Sequence, residues 1–281
     1  MSPEIKDKRS PLARFLTHAF LIFWTLGTLY PVLWVFKMAF SPSQSFSSGI
    51  SLIPEQFSVD NFIYLFTEVP YLQWFINSLI IAAFTTLAGI FLATTAAYAF
   101  SRFNFPGQRA GLISFLVTQM FPGVMMMIPL YLIISSLGLL DTLWGLVLVY
   151  STTSLPFCVW MLKGYFDTIP KELEESAVMD GASRSMIFWK IILPLARPAV
   201  AVTALFSFMT AWNEFILAAT FMNKEASYTL PVGLQLFVGQ FASEWGHFSA
   251  GAILASIPVV VLFFYLQDNL VGGLTAGGVK G

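Results

Sequence analysis

The chain has 281 residues, 57% of them hydrophobic and 10% charged, with a formal net charge of −1 and a mean hydropathy of +0.76. This composition is typical of an integral membrane protein and excludes an ordinary soluble enzyme. A charge so close to zero provides no basic surface for nucleic acid, so no nucleic-acid partner is expected. The single cysteine, Cys158, excludes an internal disulfide and a thiolate metal cluster.

Six apolar segments are long enough to cross a lipid bilayer as helices, which takes roughly 17 to 25 residues. We place them at residues 15–38, 74–100, 110–135, 143–165, 198–222 and 248–271. Helices are required because backbone polar groups find no water in hydrocarbon. The basic N-terminus resembles a secretory signal, but the segment after it is long enough to span and no small-residue cleavage site follows. The predicted fold class is an all-α integral membrane protein, with one transmembrane domain over residues 1–281.

The third apolar segment contains Pro122, Gly123 and Pro129 beside a run of methionines. Each proline removes a backbone hydrogen bond and can bend its helix. Two alternatives stay open for this span, a fixed kink and a bend whose angle changes.

A polar, charged segment interrupts the apolar pattern between the fourth and fifth spans. Pro170 and the glutamates after it favour the start of a short helix, since acidic side chains are stabilised near a helix N-terminus. Gly181 predicts a turn that ends this helix, and Ser183 predicts the cap of a second one. Two later prolines are expected to close the second helix. We call this predicted helix-turn-helix, residues 167–198, the elbow.

The spacing within the elbow follows a known pattern: Glu-Ala-Ala, three residues, Gly, nine residues, Ile-x-Leu-Pro. The matching residues are Glu175, Ala177, Gly181, Ile191, Leu193 and Pro194, with Asp180 directly before the glycine. Ser176 stands where the pattern has its second alanine, a small-for-small change that preserves close packing. This pattern is the EAA loop of the membrane subunits of ABC importers, and the elbow resembles it.

The fifth span contains Trp212, Asn213 and Glu214, and ionisable residues inside a membrane segment are candidates for function. Aromatic faces with amide and carboxylate groups suit a sugar, so these residues and Gln119 of the third span are candidates for a substrate path. A hydrogen bond from Glu214 to a partner helix is the alternative. The segment that follows, residues 223–247, is predicted to be either a re-entrant or interfacial helix or a docking or substrate-facing loop.

Neither a catalytic constellation nor a metal site is expected. His18 and His247 are isolated, so no histidine metal cluster and no Ser/His/Asp arrangement can be assembled. The glycine-rich C-terminal segment, residues 272–281, lacks the lysine of a phosphate-binding loop. We therefore expect no cofactor on this chain, and any ATPase that drives it lies on another polypeptide.

Lysine and arginine concentrate in cytoplasmic loops of membrane proteins. Six spans place both termini and the loops after spans two and four on one side, and twelve of the 14 cations lie there. They are Lys6, Lys8, Arg9, Arg14, Arg102, Arg109, Lys163, Lys171, Arg184, Lys190, Arg197 and Lys280. Only Lys37 and Lys224 fall on the other side. The N-terminus, the C-terminus and the elbow are therefore predicted to be cytoplasmic.

Beyond the elbow, the segment AYAFSRFNFPG and the C-terminal GLTAGGVKG are similar to the maltose-type (MalG-like) permeases of carbohydrate-uptake ABC importers. The resemblance covers nearly the whole chain. It implies the type I importer permease fold in the cytoplasmic (inner) membrane and import of an oligosaccharide such as a maltodextrin. It also implies four kinds of partner: a homologous second permease, a homodimeric cytoplasmic ATPase that holds ATP and Mg²⁺, an extracytoplasmic solute-binding protein and the sugar itself.

The resemblance also implies roles for particular residues. The elbow docks on the ATPase, where Glu175 pairs with a basic group and Gly181 sets the angle of the turn. The tail, with Gly277, Gly278 and Lys280, contacts the ATPase interface. In the maltose system the sugar site lies mainly on the other permease, so Trp212 and its neighbours need not touch sugar here.

Two other classes of protein are the alternatives. A stand-alone secondary solute carrier would be expected to show paired intramembrane charges and inverted repeats, and a membrane-embedded enzyme would need a cluster of His, Asp or Cys. The sequence shows neither feature.

Overall fold

The computed structural model describes residues 10–45, 51–239 and 243–278, with side chains as far as residue 269. These residues are almost entirely helical, with an isolated antiparallel bridge between Val238 and Ser243. The helices are α1 (Pro11–Ala39), α2 (Asp60–Thr67), α3 (Tyr71–Arg102), α4 (Gln108–Met120), α5 (Gly123–Ser136), α6 (Leu143–Thr168), α7 (Glu172–Met179), α8 (Arg184–Ile187), α9 (Leu193–Leu195), α10 (Arg197–Asn213), α11 (Ile216–Phe221), α12 (Leu230–Gln235) and α13 (Trp245–Gly278). A π-helical turn, Phe188–Ile192, joins α8 to α9, and a 3₁₀ turn, Glu225–Ser227, precedes α12.

The chain divides into two compact units, of which the first comprises residues up to Val69 together with Phe237–Leu254. Its longest helix is α1. In the most apolar 18-residue stretch of α1, no residue is buried. The C-terminal end of α1 is the exception, because Asn61 of α2 donates hydrogen bonds to the carbonyls of Ala39 (2.9 Å) and Ser41 (2.7 Å). Helix α2 therefore closes the end of α1.

The second unit comprises Pro70–Leu236 and the chain from Ala255 onward. Its centre is formed by α3, α6 and α10, which pack along one another through small residues. A Cβ added at Gly89 of α3 would lie 3.1 Å from the Ser207 hydroxyl of α10, so glycine permits this close approach. The short helix α12 packs even more tightly, since a Cβ at Gly233 would lie 2.1 Å from the Trp74 ring.

Four of the six predicted spans correspond to single helices that are long and apolar enough to cross a membrane: α1, α3, α6 and α13 as far as Asn269. The predicted span at residues 110–135 is divided into α4 and α5, which meet at 105°. The break falls at Phe121, whose backbone is extended because it precedes Pro122. The predicted bend is thus a break, whereas Pro129 lies inside α5, which continues through it.

The prediction of one continuous helix over residues 198–222 is wrong. Helix α10 ends at Asn213, and α11 begins only at Ile216. The physical reason is Glu214, whose side-chain oxygens accept hydrogen bonds from the backbone N–H groups of Leu217 (2.8 Å) and Ala218 (3.1 Å). A side chain that caps a new helix at this point stabilises the interruption of the old one.

The C-terminal helix is longer than predicted. Helix α13 continues to Gly278, so Gly277 and Gly278 of the predicted tail are helical. Lys280 lies outside the described residues, as do Lys6, Lys8 and Arg9 at the other end of the chain.

Candidate functional site

The elbow forms the predicted helix-turn-helix. Helix α7 ends at Met179, and Gly181 follows with a left-handed φ of +83°. The N–H groups of Gly181 and Ala182 bond back to the carbonyls of the last turn of α7, at 2.9 Å each. Ser183 caps α8 by accepting a hydrogen bond from the N–H of Met186 (3.3 Å). One detail differs from the prediction. Pro170 precedes Lys171, the N-cap residue of α7, and so lies outside the first turn of this helix.

The second arm of the elbow does not close at Pro194. It continues through the π-helical turn to Leu195, and the chain then bends by 78° at Ala196 into α10. Pro194 has no N–H to donate, and the π turn shifts the hydrogen bonding so that the N–H of Leu193 bonds to the Phe188 carbonyl. The proline is accommodated by a change of helix type within the arm.

The motif residues of the elbow divide between two surfaces. Glu175, Ser176, Asp180 and Gly181 are exposed. Ala177 is buried, while Ile191, Leu193 and Pro194 are half-buried, and the first two of these three pack against an apolar cluster beneath the elbow. We call this the elbow cluster, and its members include Phe166, Ile169, Ile187, Phe188 and Ile192. The spacing of the motif therefore reflects the packing of the elbow on this cluster as well as the surface that the elbow exposes.

The sequence pattern missed the most exposed apolar side chain of the elbow. Met179, at the end of α7, is 87% exposed, and Leu173, Val178, Met186 and Trp189 are each exposed by nearly half. Together with Glu175, these side chains form the outer face of the elbow. An exposed set of large apolar side chains of this kind is typical of a protein contact surface. The signal that could have found Met179 is its position as the last residue of α7, just before the turn.

A buried ion pair beside the elbow was also not predicted. Glu174 of α7 bonds to the guanidinium of Arg102, the last residue of α3, and its carboxylate accepts a hydrogen bond from the Tyr98 hydroxyl (2.9 Å). A cleft of about 550 Å³ opens next to the pair and is also lined by Lys171, Glu175, Val178, Met179 and Arg184. The sequence had marked Glu175, but its neighbour Glu174 is the glutamate that α7 turns inward.

The predicted path residues are not brought together as one site. Trp212 is buried and donates its ring N–H to the carbonyl of Ala255 (3.2 Å), while Asn213 bonds to its own helix at Met209 (2.9 Å). Glu214 accepts a hydrogen bond from Tyr150 of α6 (2.6 Å), which is the alternative considered for this residue. Trp212 and Glu214 therefore have structural roles in this conformation.

Gln119 lies in a different place. Near the end of α4 it donates a hydrogen bond to the carbonyl of Thr153 (3.1 Å). It lines a cavity of about 520 Å³. The other lining residues come from α4, α6 and α10: Leu116, Thr153, Pro156, Phe157, Trp160, Phe206 and Thr210. Aromatic walls with hydroxyl and amide groups suit the faces and edges of a sugar.

Asp141, in the loop between α5 and α6, forms hydrogen bonds with the segment that follows α11. Its carboxylate accepts hydrogen bonds from the backbone N–H groups of Asn223 and Lys224, and its carbonyl accepts one from the hydroxyl of Ser227. The bond from Asn223 is the main reason why the pKa of Asp141 lies below its ordinary range. Asp141 also has a left-handed φ of 58°. The segment at residues 223–247 contains the short helix α12.

In the part of the chain that the structure describes, no group of three or more His, Cys, Asp or Glu side chains is placed to hold a metal ion. Cys158 is buried in the elbow cluster, and His18 bonds only to its own helix, at the carbonyl of Arg14 (2.7 Å). His247 contacts Glu244 (2.9 Å) and stacks on Tyr64.

Comparison with known proteins assigns this helical chain to a class, the membrane-spanning subunits of ABC transporters. A family model described as the inner membrane component of binding-protein-dependent transport systems matches residues 86–275. The chain is 41% identical over 269 residues to the galactooligosaccharides transport system permease protein GanQ of Bacillus subtilis, covering 94% of this chain and 95% of that protein. It is 39% identical to the maltodextrin transport system permease protein MalD of Streptococcus pneumoniae, with 100% of both chains covered.

Among solved structures, a chain of a bacterial ABC transporter involved in the import of the acidic polysaccharide alginate has the same fold, with a TM-score of 0.80 at 23% identity. The match covers 95% of this chain and 99% of that one. The chain therefore belongs to the family of inner membrane components of binding-protein-dependent transport systems. It is a multi-pass membrane permease and a non-catalytic subunit, and ATP is used by a separate ATPase.

Proposed function

We propose that this permease imports an oligosaccharide, together with a homologous second permease, a homodimeric cytoplasmic ATPase that binds ATP and Mg²⁺, and an extracytoplasmic solute-binding protein. The observation that carries this proposal is the elbow, whose apolar side is packed on the transmembrane helices while its outer face is exposed. A rigid projection with an exposed apolar face is suited to transmit motion from another subunit. The sugar class is supported by the relatives that carry galactooligosaccharides and maltodextrin in their names.

In this proposal the outer face of the elbow docks on the ATPase. Glu175 supplies a charge for a basic group of the partner, and Ser176, Asp180 and Gly181 allow close approach because they are small or lie at the turn. Met179 contributes the largest apolar contact. Ala177, Ile191 and Leu193 act from the inside, since they hold the elbow on the elbow cluster. The end of the chain, with Gly277, Gly278 and Lys280, is proposed to contact the ATPase as well.

The orientation follows from the distribution of cations, which places both termini and the elbow in the cytoplasm. The segment at residues 223–247 then faces outward, toward the solute-binding protein. For the substrate path, the cavity beside Gln119 is a better candidate than the surroundings of Trp212, because the Trp212 ring N–H is already bonded and the ring is buried. Asn213 is exposed and remains a candidate, whereas Glu214 is committed to Tyr150 and α11.

Co-purification tests this function. The tagged chain is solubilised gently from its native membranes, and the proteins retained with it are identified. We expect an ATPase and a second permease, and ATP hydrolysis that rises when the binding protein is added with maltotetraose or galactotetraose. A chain that is recovered alone and moves solute without an ATPase would instead support the stand-alone secondary carrier.

A further inference from the structure

One link between the elbow and the transmembrane helices is polar and buried. Arg102 and Glu174 form an ion pair whose side chains are only 4% and 6% exposed. The second carboxylate oxygen of Glu174 accepts a hydrogen bond from the Tyr98 hydroxyl at 2.9 Å. The guanidinium of Arg102 donates further bonds to the carbonyl of Ile169 (2.9 Å) and to the hydroxyl of Ser101 (3.1 Å). One arginine thus connects the end of α3 to α7 and to the chain between α6 and α7.

The elbow does not need an ion pair here to stay attached to the transmembrane helices. Removing two charges from water is costly, and apolar side chains of similar volume often stabilise a fold as well. The elbow cluster already holds α7 and the second arm through Ala177, Ile187 and Ile192. The ion pair instead fixes the orientation of α7 relative to the end of α3. The planar guanidinium binds a carboxylate and a carbonyl in a fixed geometry, which apolar contacts do not impose.

We propose that Arg102, Glu174 and Tyr98 form a joint that passes displacement of α7 to α3 during transport. The inference rests on the proposed function, in which an ATPase moves the outer face of the elbow. Since α3 packs along α6 and α10, a shift of its end is transmitted to helices that line the cavity beside Gln119. The three side chains are positioning residues, because they touch neither substrate nor ATP.

A neighbouring ion pair provides a matched control. Lys163 bonds to Asp167 at 2.6 Å, and both residues lie on α6, one turn apart. Asp167 also accepts a hydrogen bond from Ser101 of α3 (2.6 Å). This pair lies near the joint and carries the same charges, but its bond joins two residues of α6 and connects neither α7 nor α3. Lys163→Met therefore removes an ion pair without disconnecting α7 from α3.

The test uses the complete transporter, co-purified as above and reconstituted in proteoliposomes with the binding protein and maltotetraose or galactotetraose, whichever stimulates the wild type. Sugar uptake and ATP hydrolysis are measured together, and ATPase retention is measured by pull-down. We expect Arg102→Met and Glu174→Gln to retain the ATPase but to lower sugar uptake per ATP by about tenfold, the range of a typical coupling energy. Tyr98→Phe, which keeps the packed ring, is expected to produce a smaller loss, and Lys163→Met none.

Restoration of coupling by the exchanged pair, Arg102→Glu with Glu174→Arg, would further support the joint. Unchanged uptake per ATP in Tyr98→Phe and in both ion-pair variants would overturn the proposal, and so would a loss of uptake that only follows a loss of ATPase retention. Failure of the proposed function looks different, since the wild-type chain would then retain no ATPase at all.

Discussion

Gly181 sets the turn of the elbow through its backbone. Its φ is +83°, and a Cβ added there would meet no other atom within 4 Å, so only backbone conformation restricts substitution. We expect Gly181→Val to strain the turn by roughly 1–2 kcal/mol, whereas Gly181→Asn is tolerated because asparagine adopts left-handed backbone readily. ATPase retention and sugar-stimulated ATP hydrolysis should therefore fall in the valine variant alone. Equal activity of the two variants would show that the turn angle is unimportant for coupling.

Glu175 can be compared with Glu172, since both are exposed acidic residues of α7. Replacing either by lysine places a positive charge near the positive end of the helix dipole, so the helical penalty is similar. Only Glu175 belongs to the motif and lines the cleft beside Arg184. We expect Glu175→Lys to reduce ATPase retention more than Glu172→Lys does. Equal pull-down yields from the two variants would contradict a specific charge pair at Glu175.

Asp141 makes a pH-dependent contribution to stability. The N–H of Asn223 and, more weakly, that of Lys224 bond its carboxylate and lower its pKa from the ordinary value of 3.8. Because the pKa is lower in the folded state, the ionised carboxylate stabilises the fold fully when the pH is well above 3.8. This stabilisation is lost as the pH falls from 3.8 through the lower pKa of the folded state. Asp141→Asn keeps an acceptor and tolerates the left-handed backbone but lacks the charge.

The purified permease is therefore expected to melt at a higher temperature than Asp141→Asn at pH 7, and the two melting temperatures should converge toward pH 3. Thermal unfolding of both proteins in detergent at the two pH values measures this. A gap in melting temperature that stays constant with pH would show that the charge makes no contribution.

At the scale of helices, the break between α10 and α11 depends on one side chain. Glu214 caps α11 at Leu217 and Ala218 and accepts a hydrogen bond from Tyr150. We expect Glu214→Ala to destabilise the start of α11 by about 1 kcal/mol, the usual cost of losing a cap. Amide hydrogen exchange at Leu217 and Ala218 should quicken.

Asn213→Ala is the control for that substitution. Asn213 is adjacent and exposed, and its side chain bonds only to Met209 of its own helix. Exchange at the two α11 amides should stay as in the wild type. Faster exchange in both variants would place the effect in α10 instead of in the cap.

The elbow shows which parts of this structure the sequence could predict. Gly181 and Ser183 act on neighbours within five residues, so local rules predicted the turn and the second helix. Arg102 and Glu174 lie 72 positions apart, and no local pattern pairs them. Likewise, the motif identified Ile191 and Leu193 by spacing, but only the packing of the arm shows that they point into the elbow cluster.

The same distinction applies to the whole molecule. The lengths of the apolar segments predicted where the spans lie, because every segment that crosses hydrocarbon must satisfy its backbone hydrogen bonds internally. It did not predict the interruption at Glu214, since an acidic residue in an apolar span is compatible with a path, a partner bond or a cap. In the structure its oxygens accept hydrogen bonds from the Tyr150 hydroxyl and from the backbone N–H groups at the start of α11.

The orientation of the whole molecule is predicted by its cations and can be tested with two variants, each with one introduced cysteine. Cys158 is fully buried, so the native chain should give little background with a membrane-impermeant maleimide. Met179→Cys places a thiol on the elbow and Lys224→Cys places one after α11, both at exposed positions. Because twelve of the 14 cations share a side with the elbow, the positive-inside rule places Met179 in the cytoplasm. Intact cells should therefore be labelled at Lys224→Cys, and Met179→Cys should react only after permeabilisation. Labelling of Met179→Cys from outside intact cells would reverse the topology and remove the elbow from the reach of a cytoplasmic ATPase.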